Sequence, residues 1–237
     1  MSARAQRRLA QLADRFALPA TAPANLYTLL EILATDPTAP TTITDPSSAV
    51  DVHVADALVA LELEQVRGAG AIADLGSGAG FPGLVLAAAL PSARVALVES
   101  SAKKCAFLRR TAAAMGLSNV DAVPLRAEEW SAGIGRCDLV TARAVAPLNV
   151  LVEYAAPLMA PGGALVAWKG RRDEAEESDG EAAAAATGLA TGVVRPVRPW
   201  EGAAHLHLHV YVKVGTTPNR YPRRPGIASK RPLRASI

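Results

Sequence analysis

Cysteine, aromatic side chains and long apolar runs are all scarce in this chain of 237 residues. Its two cysteines, Cys105 and Cys137, are too few for a disulfide framework and lack the paired spacing of a zinc site, so no metal is expected. No stretch of about eighteen uncharged apolar residues occurs, which excludes a helical membrane span. The arginines among residues 1–8 are not followed by the apolar segment of a secretory signal, and a reducing cytoplasm is the expected compartment. Aromatics make up only 4 % of a chain that is half apolar, so the core must be built mainly from Ala, Leu and Val. Acids are missing from one region in particular. After Glu201 none appears, whereas Lys213, Arg220, Arg223, Arg224, Lys230, Arg231 and Arg234 do. A one-signed segment of this kind points to a polyanionic partner or to a solvated, solubilising tail.

What is present is a glycine loop. Residues 74–83 read Asp-Leu-Gly-Ser-Gly-Ala-Gly-Phe-Pro-Gly, and a second apolar stretch, Arg94 to Val98, ends on Glu99. A strand, a glycine turn, a helix and a second strand with a terminal carboxylate form the nucleotide-holding corner of an open α/β sheet. Glycine allows close approach of backbone to ligand, and Glu99 suits the two hydroxyls of a ribose. The loop by itself also fits a dinucleotide binder, so a nicotinamide oxidoreductase stands as the rival reading. Asp74, on the strand entering the loop, disfavours a pyrophosphate and favours a ligand with ammonium and sulfonium groups.

Apolar periodicity sets the rest. Helical spacing recurs at Leu9, Leu12, Ala13 and Phe16, over Leu26 to Leu33, and again from Val50 to Val66, with a Pro/Thr-rich loop at 36–46. Beyond Ala71, strands are expected at 71–75, 94–99, 120–125, 138–141, 164–168, 193–197 and 205–214. Helices separate the first five, most clearly 101–116 and 147–159, and the charged 171–186 leads to the final pair. The connection at 198–204 is too short for a crossover, so the last two strands should pair antiparallel at one edge. The expected architecture is an α/β, Rossmann-like sheet of seven strands, mostly parallel with the last reversed, behind an N-terminal helical cap, and such a sheet resembles that of the class I S-adenosylmethionine-dependent methyltransferases. Its divisions are the cap at 1–68, a cofactor-binding domain at 69–215 and a basic tail at 216–237. The turn Pro161-Gly162-Gly163 should precede the fifth strand. His205, His207 and His209 alternate along the last strand and are read as an exposed edge face, and the acidic run 173–181 as a solvated helix face.

Several motifs together resemble the RsmG (GidB) family. They are Gly76 to Gly83, Glu99 to Lys104 with Phe107 and Leu108, Arg126-Ala127-Glu128, Thr141-Ala142-Arg143-Ala144, Trp168-Lys169-Gly170 and the segment Arg220 to Leu233. His53 and Asp56 match the family's His-x-x-Asp, while Val52 and Ala57 stand where it has a basic residue and a serine. The resemblance implies an S-adenosylmethionine-dependent enzyme that methylates N7 of a guanine in 16S ribosomal RNA near the decoding centre. It implies that Gly76 and Phe81 line the methionine side of the pocket, that Ala127 and Glu128 meet the adenine, and that Arg143 lies beside cofactor and base. The general geometry adds Gly78 and Glu99 to the cofactor site. Lys169, Arg223, Arg224, Lys230 and Arg231 are the candidates for phosphate contacts, with ribosomal RNA or the small subunit as partner. N7 of guanine bears no proton, so neither a nucleophile nor a general base is expected. A methyltransferase of another substrate and a non-catalytic RNA-binding factor are the remaining alternatives.

Overall fold

Short β-prone runs alternating with helical repeats build a three-layer α/β sandwich, described over residues 2–235 of a computed structural model. The outermost positions of the cap and tail, Met1, Ser236 and Ile237, lie outside the described residues. The sheet holds β1 (Ala71–Leu75), β2 (Arg94–Val98), β3 (Val120–Val123), β4 (Cys137–Arg143), β5 (Met159–Lys169), β6 (Val193–Val197) and β7 (Leu206–Val212). Their spatial order is β3-β2-β1-β4-β5-β7-β6. Neighbouring pairs from β3 to β5 are parallel, and β7 runs antiparallel to both β5 and β6. The strand order reverses between β1 and β4, and the crevice at their C-terminal ends is where such sheets bind ligands.

The N-terminal region forms α1 (Ala3–Phe16), α2 (Ala22–Thr35), α3 (Pro46–Ala49), α4 (Asp56–Leu58) and α5 (Glu64–Arg67). Between α3 and α4 the backbone widens into a π-helical turn over Val50–Ala55. Leu9, Leu12 and Phe16 of α1 and Leu26, Leu29, Leu30 and Leu33 of α2 are buried. They share one apolar layer with α6 (Gly83–Ala89) and α7 (Ala102–Ala114) on one face of the sheet. Helices α8 (Leu148–Ala155) and α9 (Glu174–Thr187) cover the other face, and the short α10 (Ile227–Lys230) lies in the tail. The cap is thus packed into the sheet's own core.

Three expectations change. Pro161-Gly162-Gly163 is not a turn before β5 but lies within it, as an irregularity where Cys137 pairs with Met159 and Leu139 already pairs with Ala164. A side chain on Gly163 would press to 2.8 Å from the Cys137 carbonyl, so only glycine lets the bulge lie flat. The outer strand is β6, which leaves β7 flanked on both sides. His209, on a face of β7 covered by α9, is 2 % exposed and 3.9 Å from Glu177, and does not lie on an open edge. The acidic run is likewise engaged: Glu176 meets Lys169 and the Leu148 N–H, Glu177 meets Arg172, and Glu181 accepts from the Gly192 N–H. Alternation along a strand tells which face a residue takes, not what covers that face.

Cap and sheet are bolted by Trp168 at the end of β5, whose indole N–H donates to the Asp56 carbonyl at 2.8 Å in a buried bond. Replacing Trp168 by Phe keeps an aromatic ring but leaves that carbonyl without its donor. We expect a loss of about 1–3 kcal/mol, read as a lower urea midpoint with unchanged slope. An unchanged midpoint would show that the cap does not depend on this bond.

Candidate active site

The loop after β1 is closed by its own hydrogen bonds. Gly76 N–H donates to the Val98 carbonyl at 2.8 Å, Gly80 N–H to Ser77 at 2.6 Å, and the Ser77 hydroxyl to the Asp74 carbonyl at 2.8 Å. Gly76 adopts φ +66°, and a Cβ there would meet Val145 Cγ2 at 2.7 Å, so position 76 requires glycine twice over. Asp74 is fully buried and does not face the crevice. Its carboxylate accepts from the Thr141 hydroxyl at 2.8 Å and from the Gly83 N–H at 3.2 Å, bracing the loop from beneath. Burial pushes this carboxyl up to about 6. The acid expected to meet a cationic ligand instead holds the loop's far end.

Above the loop lies a cavity of about 250 Å³ lined by Gly76, Glu99, Ala127, Glu128, Val145, Tyr154 and Ser229, among others. Glu99 stands at the end of β2 and accepts from Ser101 N–H at 2.9 Å and Gly78 N–H at 3.2 Å, with Lys104 Nζ 3.8 Å away. These bonds fix the carboxylate facing the cavity, and each oxygen keeps a second lone pair for a hydroxyl donor. Glu128 Oε1 accepts from the Gly226 N–H at 2.9 Å. Larger hollows of about 500 and 530 Å³ open at the opposite end of the strands. Location outweighs volume here, because the strands' C-terminal ends at the order reversal gather the loops that can surround a ligand.

A second cluster adjoins the loop. Arg143, the last residue of β4, donates to Asp56 Oδ2 at 2.7 Å and to the Val52 carbonyl at 3.2 Å, and lies 3.3 Å from His53 Nδ1. The His53 ring stacks on Phe81 at 4.5 Å with a 17° interplanar angle, and the guanidinium sits 5.2 Å from the Phe81 centroid. The π-helical turn presents His53 and Asp56 to the same side, a common use of such widened turns. His53 Nε2 lies 3.1 Å from the Thr41 hydroxyl. Burial first, and the Arg143 charge second, bring the His53 imidazole down to about 4, so the ring is neutral at pH 7. Burial raises the Asp56 carboxyl, with Arg143 opposing the shift. Phe81 is 5 % exposed and belongs to this cluster, not to the cavity wall.

Of the expected phosphate contacts, two are occupied. Lys169 Nζ bonds Glu176 at 2.5 Å and the Ala146 carbonyl at 3.0 Å. Arg223 grips both carboxylate oxygens of Glu153, itself 2 % exposed. Their cationic groups serve the fold, while Arg224, Lys230 and Arg231 are exposed. Val145, Tyr154 and Ser229 were not foreseen as cavity residues. The first two follow β4 in sequence, a position that could have flagged them; Ser229 reaches the cavity only through tail docking. Among the described residues no cluster of His, Cys, Asp and Glu could hold a metal ion, and no helix is long and apolar enough to cross a membrane.

Comparison with known proteins gives the same picture. The family model described as GidB, rRNA small subunit methyltransferase G, matches residues 27–197. Proteins named ribosomal RNA small subunit methyltransferase G are similar over most of the chain. The one from Rubrobacter xylanophilus is 44% identical over 80% of this chain and 75% of its own, and that from Synechococcus elongatus 39% identical over 81% of each. Among solved structures, the S-adenosylmethionine-dependent methyltransferase SibL superposes with TM-score 0.58 at 16% identity, covering 89% of this chain and 74% of that one. An O-methyltransferase from Thermotoga maritima gives 0.55 at 16% identity over 80% and 72%. The fold is that of the class I methyltransferases.

Two outcomes test this geometry. A Cβ at position 83 would meet Leu97 at 2.3 Å and the Asp74 carboxylate at 2.7 Å. Gly83→Ala should therefore cost about 1–3 kcal/mol through overpacking, measured by urea unfolding; an unchanged midpoint would contradict the close approach. His53 should titrate near 4 by NMR. Because its folded pKa lies below the unfolded value, stability is complete above about 6.5 and is lost as pH falls through the window down to about 4. A midpoint near 6.5 would mean that the ring is solvated.

Proposed function

The chain belongs to the GidB family of rRNA small subunit methyltransferases G, and we propose that it methylates N7 of a guanine in 16S ribosomal RNA near the decoding centre, using S-adenosylmethionine. The observation that carries the reading is the cavity at the β1/β4 reversal, with a glycine loop on one side and an oriented carboxylate, Glu99, on the other. The donor supplies a methyl group on a sulfonium, open to a lone pair such as that of guanine N7.

The residues fit a nucleoside with a cationic substituent. Glu99, preset by two backbone N–H groups, receives the ribose hydroxyls. Gly76 and Gly78 bring backbone against the methionine end, Phe81 backs the loop, and Ala127 with Glu128 flank the adenine. Arg143, held by Asp56, is the positioning group beside the incoming base. With no proton to remove from N7, the protein's task is alignment, worth up to about 7–11 kcal/mol when the reacting groups are well placed. The guanine must leave its stack or lie in a loop to reach the cavity. Exposed Arg224, Lys230 and Arg231 meet RNA phosphates. The cap at 1–68, the donor domain at 69–215 and the tail at 216–237 then divide the work into base positioning, donor binding and RNA contact. Ribosomal RNA as substrate makes the cytoplasm the site of action.

The test combines binding and turnover. Calorimetry should show S-adenosylhomocysteine bound and NADH not bound. Labelled donor with small subunits or deproteinised 16S RNA should yield N7-methylguanine, located by mass mapping. Arg143→Ala should lower methyl transfer by about a hundredfold, the scale of an ångström's misplacement, measured at a temperature where circular dichroism shows the variant still folded. Binding of NADH alone, or a methyl group on another atom, would overturn the reading.

A further inference from the structure

The outer wall of the cavity comes from a part of the chain beyond the family match, which ends at residue 197. The basic tail is docked. Tyr221 and Ala228 are buried, Asn149 Nδ2 donates to the Leu233 carbonyl at 2.7 Å, and the Ala235 N–H donates to Asp179 at 3.0 Å. Arg223, besides gripping Glu153, donates to the carbonyl of Arg231 at 2.9 Å, closing the tail into a loop against α8. Two contacts inside that loop reach the cavity. The Gly226 N–H bonds Glu128 at 2.9 Å, and the Ser229 hydroxyl lies 3.1 Å from the Tyr154 hydroxyl. Tyr154 and Ser229 both line the cavity with Glu99, Ala127 and Glu128.

We propose that the Tyr154–Ser229 hydroxyl pair is a binding element for the purine nucleoside of the methyl donor, held in register by the Arg223–Glu153 ion pair. The inference rests on the reading of this cavity as the donor site. The serine hydroxyl can donate once and accept twice, and the phenol can donate and accept, so a pair that satisfies itself still offers polar directions to an adenine edge or a ribose. Glu128 is shared: one oxygen is held by the tail's backbone, which orients the carboxylate toward the cavity. Undocking the tail removes Ser229 from the wall and releases Glu128 together. The buried clamp explains why a segment so rich in like charge lies against the domain. A bidentate arginine on a buried carboxylate is a strong, geometrically defined contact.

Calorimetry of the full chain with S-adenosylhomocysteine tests the proposal. Arg223→Ala and Tyr154→Phe should each weaken binding about tenfold, the loss of roughly one good hydrogen bond or its orienting partner. Arg223→Lys should recover part of the loss. Ser229→Tyr, at an exposed position where added bulk costs no packing, should block binding without lowering the melting temperature. Arg195→Ala, on exposed β6, should bind as the unaltered chain does. If the unaltered chain binds and Tyr154→Phe and Ser229→Tyr bind equally well, the tail is no part of the donor site. If the unaltered chain does not bind, the methyltransferase reading falls and this inference with it.

Discussion

The ion pair between Arg143 and Asp56 decides where the helical cap sits on the sheet. Both side chains are largely buried, at 17% and 12% exposure, so neither has water to fall back on. Removing one partner from such a pair costs about 3–5 kcal/mol, because the other is left charged and unpaired. The guanidinium also reaches the Val52 carbonyl, and Trp168 ties the Asp56 carbonyl to β5. The widened helical turn is thus fixed to the ends of two neighbouring strands, and His53 is carried onto Phe81. The glycine loop, held from below by Asp74, is held from the side by this stack. Cap, loop and sheet end are thereby joined into one cluster beside the cavity.

Acids around that cluster act as braces. Asp74 holds a helix start and a threonine, Glu99 holds two loop N–H groups, Glu128 holds the tail, and Glu153 holds Arg223. Each carboxylate has its lone pairs directed by donors, which fixes its orientation before any ligand arrives. Such preorganised groups align a substrate well. The neutral His53 is closed in by Thr41, Phe81 and Arg143. That inventory suits an attack by a lone pair that carries no proton, as at guanine N7.

Local pattern made the sheet legible. Alternation of apolar runs and helical spacing gave all seven strands near their observed positions, and the short connection at 198–204 required an antiparallel pair. The glycine loop and Glu99 were legible because their chemistry depends on neighbours in sequence. What depends on distant partners was not. Nothing near Lys169 announces Glu176, nothing near Arg223 announces Glu153, and the cover over His209 comes from α9. Asp74 was located correctly on its strand and misread in direction. Gly83, by lacking a side chain, lets α6 approach closely enough to claim the carboxylate.

The tail shows why counting charge is a poor guide to a binding face. Its basic residues look alike in sequence, yet they divide into two physical kinds. Arg223 is half-buried on a carboxylate it grips with two bonds, much as Lys213, just ahead of the tail at the end of β7, has its ammonium between the carbonyls of Ala156 and Met159. Burial lowers the Lys213 pKa, the mark of a cation taken partly out of water. Arg224, Lys230 and Arg231 remain exposed on the same short stretch. A phosphate backbone is bound by displacing counterions from accessible cations, and a cation already neutralised by a buried acid contributes little. The engaged residues therefore give the segment its shape, and that shape sets where the exposed ones stand. A docked segment presents its cations as a fixed array beside the cavity, whereas a loose one would spread the same charge over solvent. Glu153, a buried acid on α8, holds Arg223 and, with the contacts of Asn149, Glu128 and Asp179, fixes where the exposed cations stand.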